Sequence, residues 1–178
     1  MKHESNGPRA VKPPEPKLTA MQARRIFESI DCADISGLQD RALIALIFYN
    51  HLRAGDALRT KVGTLFWQSK HPYLRVQSTK IGCREVELTV PCFPEAEAAL
   101  NAYIEKAELA CDLQGPLFRS FDPGTGKITN SPLSARAAHI SINHRARRAG
   151  IEREITLHEF RAAGAQLLKE QVSLDLLI

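Results

Sequence analysis

Between Gly37 and Asn50 the chain carries Leu38, Ala42, Leu43, Ala45, Leu46, Ile47, Phe48 and Tyr49, which fall nearly all round a helix and not along one stripe. Such a helix has to be enclosed, so it predicts the centre of a core around which the other elements are laid. At 178 residues, 44% of them hydrophobic, the chain is long enough to build one such core and is the size of a single domain. The longest apolar run, Ala42 to Tyr49, is far too short to cross a bilayer, and the start Met1-Lys2-His3-Glu4-Ser5 lacks an apolar signal core.

The flanking patterns supply the enclosure. Thr19 can cap a helix whose first turn holds Met21 and Gln22 and whose apolar face is Ile26, Phe27 and Ile30. A short helix is predicted over residues 54–60. After Gly63 the period changes to that of strands: Leu65-Phe66-Trp67, Tyr73-Leu74-Arg75-Val76 and Val86-Glu87-Leu88-Thr89-Val90, the last ending at Pro91, predict a small antiparallel sheet. From Pro94 to Cys111 the apolar positions Ala96, Leu100, Tyr103, Ala107 and Cys111 step by three or four, with Glu95, Glu97, Glu105 and Glu108 turned to water. A further helix is expected over residues 134–149, with Ala138, Ile142, Ala146 and Ala149 as its apolar stripe and Arg136, Asn143 and Arg147 on another face. Thr156 can cap a last helix through Ala162 to Lys169.

Charge narrows the partners. The formal net charge is only +4, a balance shared by many proteins that never meet a polyanion. Between Gly115 and Gly150, however, Arg119, Lys127, Arg136, Arg145, Arg147 and Arg148 stand against Asp122 alone. A phosphate backbone suits such a stretch; a solvated helix face is the other reading of it. The cysteines Cys32, Cys83, Cys92 and Cys111 show no Cys-x-x-Cys pair and no histidine at ligand spacing, which argues against a zinc site and a disulfide framework and for reduced thiols in the cytoplasm. Residues 1–17, with Pro8, Pro13, Pro14 and Pro16 among charged side chains, read as a disordered linker-like tail before a domain over residues 18–178.

Three boxes then stand out in order. They are Asp40-Arg41-Ala42-Leu43-Ile44 with His51-Leu52-Arg53-Ala54-Gly55-Asp56-Ala57-Leu58; Ser78-Thr79-Lys80-Ile81-Gly82 followed by Arg84 to Pro91; and His158-Glu159-Phe160-Arg161. Together they resemble the catalytic domain of the tyrosine recombinases, the phage integrase family. The resemblance implies an α+β fold, mostly helical with a small three-stranded antiparallel sheet. It also implies DNA breakage and rejoining in site-specific recombination or integration, with double-stranded DNA as partner and with neither metal nor organic cofactor.

By that resemblance Arg53, Lys80, His158 and Arg161 are the catalytic side chains. A phosphodiester attacked in line gathers negative charge on its nonbridging oxygens, and an arginine fork can donate two parallel hydrogen bonds to one phosphate at any working pH. Arg53 and Arg161 would form that clamp. Lys80, at a hairpin tip, would reach the departing sugar oxygen as an acid, and His158 would serve as acid or base. Asp56 would brace the arginines, or pair with charge at a helix terminus. Lys127, Arg136, Arg145, Arg147 and Arg148 would hold the DNA backbone.

The pattern departs from the family at its end. No tyrosine follows Tyr103, and Val172 to Ile178 resembles only the start of the helix that would lead on to the nucleophile. The expectation is a domain lacking its C-terminal end, incomplete alone, that works with a full-length recombinase. The alternative is a non-enzymatic DNA-binding module or a regulator of a full-length recombinase.

Overall fold

The computed structural model describes residues 17–79 and 85–175. The helix required by the all-round apolar run is α2 (Ile35–Phe48), capped by Asp34, whose carboxylate accepts from the Gly37 N–H at 2.6 Å. Every residue of α2 from Ala42 to Phe48 is buried without remainder, and α1 (Ala20–Ser29), α3 (Ala54–Leu58), α4 (Pro94–Lys106), α5 (Ala135–Arg148) and α6 (Leu157–Asp175) all pack against it. Each large side chain removed from water in this way contributes about 1.5–3 kcal/mol, so α2 is the chief source of stability.

The predicted sheet forms as β1 (Leu65–Gln68), β2 (His71–Thr79) and β3 (Glu85–Pro91), antiparallel throughout, in the order β1-β2-β3. Gln68 pairs with His71, so Ser69 and Lys70 form a two-residue loop, and both take positive φ (51° and 69°) as the twist of a tight hairpin requires. The β2–β3 hairpin is paired out to Thr79 and Glu85. Lys80 lies outside the described residues, as do residues 1–16 of the tail.

Two differences from the sequence reading have local causes. The acidic helix ends at Lys106, short of Cys111, because Glu108 turns into the left-handed region at φ 54°. The basic stretch also contains an unpredicted second hairpin, β4 (Arg119–Phe121) with β5 (Ile128–Pro132). Its turn is made by Asp122, whose carboxylate accepts from Gly124 N, Thr125 N and Thr125 Oγ1. The hairpin is tied to the core through Gln39 Oε1, which accepts from the Tyr103 hydroxyl at 2.7 Å and from Arg119 N at 2.9 Å. One buried amide oxygen thereby joins α2, α4 and β4.

A candidate phosphate-binding site at the end of the central helix

The C-terminal end of α2 meets the middle of α6 at Gly164. A Cβ built there would lie 1.9 Å from the Phe48 carbonyl oxygen, so this crossing admits no side chain. Beyond α2 the chain reverses through His51, which holds φ 55°. Leu52 N–H then turns back to the Leu46 carbonyl at 3.1 Å, and Arg53 stands at the N-terminus of α3 with its side chain exposed.

Arg161 arrives from α6. Thr156 caps that helix through its Oγ1, which accepts from Glu159 N at 3.3 Å, and Leu157, Phe160 and Ala163 bury the inner face. Half-buried Arg161 donates from Nε to the His51 carbonyl oxygen at 2.7 Å. Two arginines 108 positions apart in the sequence are thereby brought to one corner, with only Leu52 between Arg53 and the carbonyl that Arg161 holds. His158, one helical turn before Arg161, is exposed on the first turn of α6. Asp56 is buried and lies 2.5 Å from Arg59 Nη2, a pairing that the sequence did not single out.

His51 is the unusual member of this corner. Its ring packs edge-on to Phe93 and lines a cavity of about 120 Å³ with Tyr49, Leu167 and Leu168, while its Nδ1 is buried with no hydrogen-bond partner. Burial, and then the nearby Arg161 charge, hold its pKa below the ordinary 6.5. The folded state therefore resists protonation that the unfolded chain accepts, and stability should fall as pH drops below about 6.5. Burial sets the sign and the Arg161 charge adds to it, while Arg24 and Glu95, which also line the cavity, carry opposite charges. Urea midpoints at pH 7.5 and 5.5 check this: the drop should shrink in His51→Gly, and an undiminished drop would assign it to other groups.

The basic residues divide. On α5, Arg136, His144 and Arg147 are exposed along one face around Ile140, itself 60% exposed, and Arg148 is exposed beside them. Arg145 requires correction. It is 8% exposed and turned into the core, where Nε meets Asp40 Oδ2 at 2.8 Å and Nη2 meets Ser36 Oγ at 2.8 Å, while Ser141 Oγ donates to the same Asp40 oxygen at 2.6 Å. Burial pushes the Asp40 carboxyl up from its ordinary value, and the Ser141 and Arg145 hydrogen bonds pull it back. Arg145 thus anchors α5 to α2 and offers nothing to a ligand. Lys127 is exposed, but it borders a groove with Asp34, Ile35 and Ser36 at the N-terminal end of α2. That end lies about 20 Å along the helix from the arginine corner, at ~1.5 Å per residue.

Asn143, placed from the sequence on the charged face, is also buried. Its Nδ2 donates to the Ile155 carbonyl at 2.9 Å and its Oδ1 accepts from Ile155 N at 2.8 Å, in the manner of a strand partner. This pins the segment that leads into α6 and thereby sets where His158 and Arg161 begin. An amide in the middle of a helix beside an apolar stripe was the only sign of it in the sequence. Nothing in the sequence marked the backbone of His51.

Comparison with known proteins bears on the fold and the family of the chain. The phage integrase family pattern matches residues 16–177. A protein of Sinorhizobium fredii named integrase/recombinase y4rF is 26% identical over 161 residues, covering 90% of this chain and 34% of its own length. The crystal structure of the XerA recombinase superposes with a TM-score of 0.66 at 19% identity, covering 93% of this chain and 53% of that one. The XerH site-specific recombinase, solved bound to its difH substrate before cleavage, gives a TM-score of 0.61 at 20% identity, covering 87% of this chain and 43% of that one. The chain thus spans about a third of its curated relative and about half of each solved structure, whose likeness is one of fold. Since the family pattern takes in nearly every residue, and the fold with its small three-stranded sheet is that of the recombinases, this chain belongs to the phage integrase family.

Proposed function

We propose that the chain binds duplex DNA and handles its backbone in site-specific recombination or integration, with Arg53 and Arg161 clamping the phosphate at which a strand is broken and rejoined. The observation that carries this is the Arg161 Nε contact with the His51 carbonyl, which delivers the second arginine box to the first. Bound in this way, Arg161 spends one of its five N–H donors on the fold and keeps both Nη groups for phosphate oxygens. Two guanidinium groups at one corner, that of Arg161 held by its hydrogen bond, would neutralise charge on nonbridging oxygens. His158, exposed one turn away, is suited to carry a proton, and Lys80 to protonate the departing sugar oxygen. Along α5, Arg136, Arg147 and Arg148 supply further phosphate contacts, and Lys127 supplies one at the far end of α2.

Tyr49, Tyr73 and Tyr103 have packing roles. Tyr49 lies edge-on to Phe27 and Phe48, Tyr73 stacks on Phe66, and the Tyr103 hydroxyl is held by Gln39. For strand breakage we further propose a full-length recombinase as partner. Among the described residues no helix is long and apolar enough to cross a membrane. We place the protein with the DNA of the cytoplasm.

The test is duplex affinity as a function of salt. Each phosphate contact contributes about 0.9 to the slope of log K against log salt, so Arg53→Ala and Arg161→Ala should each flatten that slope by about 1 and weaken binding about tenfold. Unchanged affinity and slope in either variant would reject the reading.

A further inference from the structure

We infer that His51 is the positioning residue for Arg161, and that its left-handed backbone, more than its imidazole chemistry, is what sets the second arginine of the clamp. This rests on the phosphate-clamp reading above and adds to it the device that aligns the clamp.

Two costs coincide at this residue. A non-glycine side chain at φ 55° is disfavoured by about 1–2 kcal/mol, and the buried Nδ1 has no hydrogen-bond partner. Such costs persist only where the surroundings hold the residue in place. Here the surroundings are named: Phe93 lies against the ring edge, and Gly164 passes so close that a Cβ there would sit 3.0 Å from Nδ1. What this conformation achieves is the direction of one carbonyl. Its oxygen meets Arg161 Nε at 2.7 Å, across 110 residues of sequence. An extended residue at 51 would carry both the carbonyl and the following Leu52-Arg53 in another direction, because φ sets the path of the chain on both sides. One backbone torsion therefore fixes Arg53 by covalent connection and Arg161 by hydrogen bond.

The test uses the whole chain, a labelled DNA duplex of arbitrary sequence and a salt titration, with folded fraction matched by urea unfolding. His51→Gly keeps the carbonyl and relieves the left-handed cost, and it should bind within about twofold of the parent. His51→Val, whose β-branched side chain is averse to positive φ, should lose about tenfold in affinity and flatten the salt slope by about 1. The double variant His51→Val with Arg161→Ala should lose less than the sum of the two single losses, because part of the first acts through the second. Equal binding by the folded Gly and Val variants, or additive losses in the double variant, would overturn the proposal. Should His51→Val not fold, Arg161→Lys decides. Lysine keeps the charge but has no Nε to give to His51, so it should bind as weakly as Arg161→Ala, and parent-like affinity would overturn the proposal. If Arg161→Ala itself binds like the parent, the clamp reading is what fails, and the two failures are told apart.

Discussion

Gly164→Ala is expected to destabilise the protein by about 3 kcal/mol, although the same change at an exposed helix position is worth up to about 1 kcal/mol of stabilisation. The sign reverses because the new methyl would meet the Phe48 carbonyl oxygen at 1.9 Å and the Phe48 carbonyl carbon at 2.9 Å. Both are backbone atoms at the end of the most buried helix, and neither can move without lifting α6 from α2. Urea unfolding measures it: the midpoint should fall with the slope unchanged. A variant within about 0.5 kcal/mol of the parent would mean that the two helices do not cross this closely. The same variant should also bind DNA poorly, because Arg161 lies one turn from Gly164 on the helix that is displaced.

The second large effect concerns the buried pair of Asp40 and Arg145. Asp40→Ala leaves a guanidinium in the core with Ser36 as its remaining partner, and removing one member of such a pair costs about 3–5 kcal/mol. Replacing both members with leucine removes the orphaned charge as well and should restore most of that loss. If Asp40→Ala and the double replacement prove equally unstable, the penalty comes from packing and not from the stranded charge. If neither moves the midpoint, α5 is not anchored here. Because Arg145 is spent on this pair, Arg145→Ala should act on stability, whereas Arg136→Ala and Arg147→Ala, from the exposed face of the same helix, should act on DNA affinity.

Much of the architecture was legible in the residues. The all-round apolar run from Leu38 to Tyr49 could only be an enclosed helix, and it is. The alternation from Leu65 to Val90 marked three strands, which pair as read, and the threonine caps at Thr19 and Thr156 start the helices that they were assigned to. These are local matters: period and capping are set by neighbours within a few positions, so the residues carry them directly. The three ordered boxes led to the family for the same reason, since spacing along the chain is itself sequence information.

The helical wheel failed at Arg145 and Asn143. It separates faces but does not say which polar group another element will claim. Arg145 looks like Arg147 until Asp40, 105 residues earlier, is placed beneath it, and Asn143 looks solvated until Ile155 is laid alongside. The β4–β5 hairpin was missed because its strands are short and owe their place to Gln39 and to the Asp122 turn.

By itself the sequence determined the helices and the three-stranded sheet in their order, the central place of α2, and the two arginine boxes as the residues to watch. The tertiary structure alone decided which cations remain available for a phosphate, that Gly164 must be bare, and that His51 turns left-handed to present its carbonyl to Arg161. The physical reason is range: periodicity and caps act over a turn of helix, while burial, charge pairing and a strained torsion depend on atoms that only folding brings within hydrogen-bond reach.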